Sequence, residues 1–227
     1  ATEMSEYNNN PAIAFVSGFS KPFFIPRYFL LKSLYKPMPK DKDFRVLYAP
    51  LGLRRIEAAL LASGMFSKED VAIVHPDDLN EVVSEDTRVV GISVKDPLGF
   101  GYVSLTYATL LGFGDPINKL EFLRLIKNIK KLKRKYRFRV IVGGPGVWQF
   151  KLYDGFAAHL GIDVVVDGEG EAVIAKLVAD VIQGKAVKRY VKSGIASIDD
   201  IPCISGATIY GAVELSRGCG RGCMFCT

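Results

Sequence analysis

The sequence of 227 residues contains no apolar run long enough to cross a bilayer and no recognisable export signal. Apolar stretches such as PAIAFVSGF and FFIPRYFLL fall well short of the roughly 18 to 20 residues that a membrane span requires. The opening ATEMSEYNNN is polar and carries Glu3 and Glu6, so it lacks the basic start and apolar core of a secretory signal. These absences predict a cytoplasmic protein without a transmembrane segment.

The glycine signatures of common nucleotide sites are also absent. No G-x-G-x-x-G follows the first predicted strand, and no G-x-x-x-x-G-K-S/T occurs anywhere in the chain. Dinucleotide and nucleoside triphosphate sites are therefore disfavoured.

Cysteine is scarce, and its distribution is uneven. The chain has four cysteines, of which Cys219, Cys223 and Cys226 form a C-x-x-x-C-x-x-C cluster. Two disulfides would suit a small secreted protein, but a chain of this size does not need disulfides to fold. Reduced thiols that bind a metal are therefore the favoured interpretation.

Composition and charge indicate a globular protein with one concentrated basic region. Hydrophobic residues make up 49% of the chain and charged residues 24%, so it can bury one large core or two smaller ones. The net charge of +6 is concentrated in KNIKKLKRKYRFR, where apolar residues recur at helical spacing. A solvated outer face of an amphipathic helix is favoured, and binding to nucleic acid or lipid headgroups is the alternative.

Five Val-rich and Ile-rich runs alternate with helical segments and predict an α/β fold. The runs are DFRVLYAP, DVAIVHP, TRVVGISV, FRVIVGGPG and IDVVVDGEGE. The predicted helices are LGLRRIEAALLASG, which ends at Gly64, residues 120–136, YDGFAAHLG, and EAVIAKLVADVIQGK, which ends at Gly184. We expect residues 42–185 to form a doubly wound, parallel, five-stranded sheet in the flavodoxin-like order 2-1-3-4-5. An N-terminal extension (1–41), a linker (186–209) and the cysteine-bearing segment (210–227) complete the predicted organisation.

Glycine-bearing loops follow four of the predicted strands. Ligands of such sheets bind beyond the carboxyl ends of the strands, where glycine lets the backbone approach a cofactor closely. For each single glycine, a tight turn without any ligand is an equally good explanation. The candidate cofactor-binding residues are Pro50, Leu51, Gly52, Ser93, Val94, Lys95, Gly143, Gly144, Pro145, Gly168, Glu169, Gly170 and Glu171.

The order of these motifs resembles that of radical S-adenosylmethionine enzymes with an N-terminal cobalamin-binding-type domain. The resemblance covers residues 44–227 and rests on APLGLRRIEAALLASG, VVGISV, VIVGGPG, DVVVDGEGE and IPCISGATIYGAVELSRGCGRGCMFC. It implies that Cys219, Cys223 and Cys226 hold three irons of a 4Fe–4S cluster, while glycines at 218, 220 and 222 let the loop curl. The open fourth iron would chelate S-adenosylmethionine, and Phe225 would lie beside its adenine.

The resemblance also sets expectations about chemistry and partners. An electron from the cluster would cleave S-adenosylmethionine to a 5′-deoxyadenosyl radical. GAVELSRG would be the first strand of a catalytic barrel, and a usual barrel needs roughly 250 residues. We therefore expect the chain to be the N-terminal portion of an enzyme whose partners are the remainder of that barrel, an electron donor such as ferredoxin or flavodoxin, and a small-molecule or lipid substrate.

Zinc is the main alternative metal, because four thiolates also suit a tetrahedral zinc site. Cys203 would be the fourth ligand, but it lacks the paired C-x-x-C spacing of a zinc ribbon and fits better as a small buried hydrophobe. Related methylthiotransferases carry a different N-terminal domain with its own cysteines. This chain lacks those cysteines, so that branch is disfavoured.

The sequence is compatible with a domain that binds cobalamin and with one that does not. Neither His75 nor His159 lies in an Asp-x-His-x-x-G loop after the first strand, so any cobalamin would lack a histidine ligand from this chain. The charged loop VKDPLGFG suits a corrin poorly, so a domain that keeps the fold but binds no cobalamin is an almost equally good prediction. The predicted reaction is C–H functionalisation, by methylation with cobalamin or by carbon–carbon coupling without it. The alternative is a non-catalytic corrinoid-binding or docking module.

Overall fold

The computed structural model describes residues 26, 29, 38–111, 114–153, 155–218, 221, 222 and 224, without side-chain detail at 108–111 and 210. Short parallel strands alternate with helices through this part of the chain. The mixed α/β class is confirmed, and the parallel sheets are consistent with a flavodoxin-like fold. The predicted N-terminal extension lies mostly outside the described residues.

The main sheet has four parallel strands in the order of the chain. Three of them lie inside predicted strands, whereas the fourth falls in the segment predicted as a linker. That strand is only three residues long, and two of its residues are exposed, so no apolar pattern marks it in the sequence. The strands are β2 (Val89–Ser93), β3 (Arg139–Gly143), β4 (Val164–Asp167) and β5 (Tyr190–Lys192).

A second parallel pair joins β1 (Tyr48–Ala49) to β6 (Ala207–Thr208). The predicted second strand forms only an isolated antiparallel bridge between Arg45 and Val74. Among the described residues, the expected five-stranded order 2-1-3-4-5 is therefore wrong: the sheet has four strands and stands beside a separate pair. An apolar run shows that a segment is buried but does not identify its hydrogen-bonding partner.

Six α-helices occur in the described residues, and four of them coincide with the four predicted helices, although the helix at Phe156–His159 is shorter than predicted. The helices predicted to end near Gly64 and Gly184 end two residues earlier, and those glycines have φ values of 69° and 71°. This left-handed conformation favours glycine after a helix. The helices are α1 (Leu51–Ala62), α2 (Leu79–Val82), α3 (Tyr102–Leu111), α4 (Ile117–Lys135), α5 (Phe156–His159) and α6 (Ile174–Ile182). Helices α2 and α3 were not predicted.

Apolar side chains cover both faces of the main sheet, as the doubly wound prediction requires. Val140, Val142 and Val165 pack on one face against the apolar side of α4 and against Phe150. On the other face, α1 and α6 cover Ile141, Val164 and Val166. The alternation along β3 and β4 therefore sends successive residues into two cores.

The basic helix α4 buries its apolar side and exposes Lys127, Lys131 and Arg134. Lys130 donates to the carbonyl oxygen of His159 at 2.8 Å, so part of the basic region ties α4 to α5. No helix in the described part of the chain combines the length and the apolar character needed to cross a membrane.

Candidate functional site

The carboxyl ends of the main strands meet at one edge. Ser93 pairs with Gly143 and Asp167 pairs with Lys192 in the parallel register, so the loops that follow begin side by side. Three of the four candidate loops, residues 93–95, 143–145 and 168–171, are thus brought together. Pro50, Leu51 and Gly52 follow β1 instead, where Pro50 precedes the first turn of α1.

The glycines at this edge pack against neighbouring loops. Gly144 has φ of 100°, and a Cβ built there would lie 2.6 Å from the carbonyl oxygen of Val94. Gly168 has φ of 108°, and a Cβ built there would lie even closer to the carbonyl oxygen of Ser193. A Cβ on Gly170 would lie 2.8 Å from the Cδ1 of Ile56 on α1. These contacts explain the three glycines without a ligand, and they give cobalamin no support.

The charged loop that follows β2 is held together by hydrogen bonds to the buried carboxylate of Asp96. Asp96 accepts hydrogen bonds from the Gly101 N–H at 2.8 Å, from Gln149 Nε2 at 2.6 Å and from the Ser104 hydroxyl. Gln149 is fully buried and accepts in turn from the Leu98 N–H at 2.7 Å. The loop is therefore fixed to the 3₁₀ turn at Val147–Lys151 by polar contacts inside the protein.

The Glu-Gly-Glu sequence after β4 binds an arginine just before the cysteine motif. Arg217 Nη1 donates to Glu169 at 2.8 Å, and Nη2 donates to Glu171 at 2.5 Å. Glu169 also accepts from the Ala196 N–H at 2.7 Å, and the Glu171 side chain is only 7% exposed. Glu169 and Glu171, which the sequence assigned to a cofactor, thus bind an arginine that lies two residues before Cys219.

A third carboxylate extends this network to helix α1. Glu214 accepts from Arg217 Nε at 2.6 Å and pairs with Arg55 at 2.9 Å. Arg55 also donates to the carbonyl oxygen of Pro202 at 3.3 Å. Hydrogen bonds from Arg217 hold the pKa of Glu214 below its usual range, and the same bonds raise the pKa of Arg217 further. Glu214 and Arg217 are therefore both charged at neutral pH.

The cysteine motif itself lies outside the described residues, as do Cys219, Cys223, Cys226 and Phe225. Gly218 and Gly222 are described and have φ values of 69° and 59°, as expected of a tightly curled loop. No group of three or more metal-binding side chains occurs within the described ranges. Cys203 is a free thiol. The sequence predicted it to be buried, but it is exposed.

The start of a catalytic barrel is not seen in the described part of GAVELSRG. Residues 212–218 form no strand there, and Val213 and Leu215 are 75% and 94% exposed. The parallel strand of this region lies earlier, at β6.

The two histidines have local structural positions. His75 is buried, and its Nδ1 accepts from the Asp77 N–H at 3.3 Å at the start of a 3₁₀ turn. Burial lowers the pKa of His75. His159 ends α5 and is exposed.

Comparison with known proteins gives a weak and partial similarity. Two curated proteins from strains of Bacteroides fragilis, both named tRNA-2-methylthio-N(6)-dimethylallyladenosine synthase, are 31% identical to this chain over 112 residues. The match covers 48% of this chain and 23% of each relative, so it spans about a quarter of their length. No family model and no solved structure matches the chain.

Sequence reasoning missed Arg217, Arg55 and Glu214. Arg217 and Glu214 lie in the quoted motif, but neither spacing nor composition shows that an arginine meets carboxylates 46 and 48 residues away. The pair of glutamates in DGEGE could have indicated a binding site for an arginine, but it was assigned from the sequence to a cofactor.

Proposed function

We propose that this chain belongs to a radical S-adenosylmethionine enzyme whose cluster is held by Cys219, Cys223 and Cys226. The observation that carries the proposal is the C-x-x-x-C-x-x-C spacing of these residues. Three thiolates in one short loop leave one iron of a 4Fe–4S cluster without a protein ligand. That iron is the proposed site for the amino and carboxylate groups of S-adenosylmethionine, with Phe225 beside the adenine.

The residues around the motif have supporting roles. The left-handed glycines at 218 and 222 allow the loop to turn around a compact ligand. When bound, the cluster supplies the electron that breaks the C5′–S bond of S-adenosylmethionine and yields methionine and a 5′-deoxyadenosyl radical. An external donor such as ferredoxin or flavodoxin would resupply that electron.

The similarity to the two methylthio synthases supports the radical class coarsely, because methylthiotransferases are related to the family that the sequence resembles. It also points to the branch that the sequence disfavoured. We propose C–H functionalisation as the reaction, on a small molecule or a lipid. RNA is a second candidate substrate, favoured by the tRNA in the relatives' name and by the exposed Lys127, Lys131 and Arg134.

Anaerobic reconstitution with iron and sulfide tests the proposal. The complete gene product should become brown and hold about four irons per chain, and Cys→Ala changes at 219, 223 or 226 should each abolish the cluster. Cys203→Ala is the matched control, and it should retain the iron and the colour. Stoichiometric zinc without visible absorbance would contradict the proposal. A corrinoid spectrum without iron would favour the docking module.

A further inference from the structure

We propose that Arg217 is a positioning residue, which Glu169 and Glu171 hold against the carboxyl edge of the sheet so that the cysteine loop leaves the domain in one orientation. The inference rests on the proposed cluster and assigns to the Glu-Gly-Glu loop a role that is not cofactor binding. It makes the α/β domain part of the structure that places the metal.

The first argument is the geometry of the guanidinium group. Its three nitrogens meet three different carboxylates, those of Glu169, Glu171 and Glu214. A planar group bound on several sides is fixed in orientation as well as in position, which a lysine ammonium cannot reproduce. Because Arg217 precedes Cys219 by two residues, its orientation constrains the backbone that enters the cysteine loop.

The second argument is the scarcity of other attachments along the same segment. Val213, Leu215 and Ser216 are exposed, and no apolar cluster of the described residues contains any of them. The side-chain contacts described between residues 213 and 217 and the domain run through Glu214 and Arg217. Loss of these ion pairs should therefore free the segment rather than shift it slightly.

The third argument is the cost of leaving the glutamates alone. Glu171 is nearly buried, and Glu169 already accepts the Ala196 N–H, so both carboxylates sit in a site that favours a bound cation. With Arg55 included, two arginines face three glutamates in this network. Arg217 belongs to the segment that leads into the cysteine motif, and Arg55 belongs to the α/β domain. Each of the two parts therefore contributes an arginine to the ion pairs that hold them together.

Hydrogen–deuterium exchange on the metal-free chain tests the docking directly. Glu171→Gln removes one charge with little change of shape. Arg217→Lys keeps the positive charge but removes the planar guanidinium group that donates to several carboxylates at once. In both variants we expect amides between residues 212 and 218 to exchange about tenfold faster than in wild type. Arg124→Lys is the matched control, since Arg124 also joins two carboxylates, those of Asp77 and of Glu121 on its own helix, and contacts none of residues 212–218 in the described ion pairs. Its effect on residues 212–218 should be nil.

The reconstituted gene product tests the positioning role. We expect the cluster of Glu171→Gln and Arg217→Lys to lose its absorbance to a chelator about tenfold faster than wild type. The electron paramagnetic resonance signal of the reduced cluster should also change, which a general loss of stability would not produce.

The outcomes separate the two proposals. Equal exchange of residues 212–218 in Glu171→Gln and wild type would overturn the docking, and an unchanged chelator half-life and resonance signal would overturn the positioning role. A wild-type protein without any cluster would overturn the proposed function and the positioning role together. The exchange data would still decide whether Arg217 docks the segment.

Discussion

The four-stranded sheet and the segment from β6 to Arg217 are held in place by different interactions. In the sheet, Val140, Val142 and Val165 are fully buried between layers of apolar side chains. The segment buries Thr208 and Ile209 but exposes Val213 and Leu215, and arginines tie it to the rest of the chain.

Apolar burial and arginine contacts have different effects on the structure. Apolar burial is non-directional and roughly proportional to area, so it stabilises the sheet without fixing any single contact. Arginine contacts to carboxylates and carbonyl oxygens are directional, so they fix an orientation while contributing less stability. The sheet is a scaffold, and the arginines set how the cysteine segment leaves it.

The largest effect should come from the sheet core. Phe150 is fully buried and its ring lies 5.8 Å from that of Phe122, so Phe150→Ala should lower the free energy of unfolding by about 3–5 kcal/mol. Tyr102→Ala, at a side chain that is 85% exposed, should cost less than about 0.5 kcal/mol. Urea unfolding of both variants checks the difference, and equal costs would contradict a sheet held by apolar burial.

The next effect should come from the arginine that joins β1 to β6. Arg54 is buried and donates to the carbonyl oxygens of Val46, Leu47 and Ala207. Arg54→Met should therefore cost about 3 kcal/mol, because it leaves buried acceptors unpaired. Exchange at amides 207–209 should rise more than exchange in β3. A uniform rise across both regions would show that the arginine does not act locally.

A smaller effect is expected where the loops close the sheet edge. Gly144→Ala should cost about 2 kcal/mol, because residue 144 has a positive φ and its Cβ would meet the Val94 carbonyl. Gly52→Ala is the matched control, since no atom lies within 4 Å of its Cβ and alanine favours the helix. Thermal unfolding should show a loss for the first variant and none for the second. A tolerated Gly144→Ala would mean that the edge is more open than its contacts indicate.

The smallest effect should appear in acid, at an ion pair beside the sheet. Burial raises the pKa of Asp163, but hydrogen bonds from Lys133, the Val140 N–H and Arg139 outweigh it, so the net pKa is lowered. Its stabilising contribution should be present above the ordinary aspartate pKa of about 4 and be lost as pH falls through the lower folded value. Asp163→Asn should flatten this part of the stability profile. An unchanged profile would show that Asp163 contributes nothing to stability in this pH range.

The sequence predicted the buried elements better than the contacts between distant residues, for a physical reason. Val-rich runs and the apolar side of α4 identify buried elements, because burial follows local periodicity. The pairing of β1 with β6 and the contacts of Arg217 depend on residues far apart in the chain, which periodicity does not encode. Gly144 and Gly168 stand out in the sequence, but a glycine beside another loop and a glycine beside a cofactor give the same sequence pattern.

The function proposed here requires the cysteine motif to hold a cluster with one iron open to S-adenosylmethionine. The most direct measurement is the electron paramagnetic resonance spectrum of the reduced, reconstituted gene product with and without S-adenosylmethionine. We expect a cluster signal that shifts when S-adenosylmethionine is added and that is lost in Cys223→Ala. A signal that does not change on addition, or no iron signal at all, would contradict it.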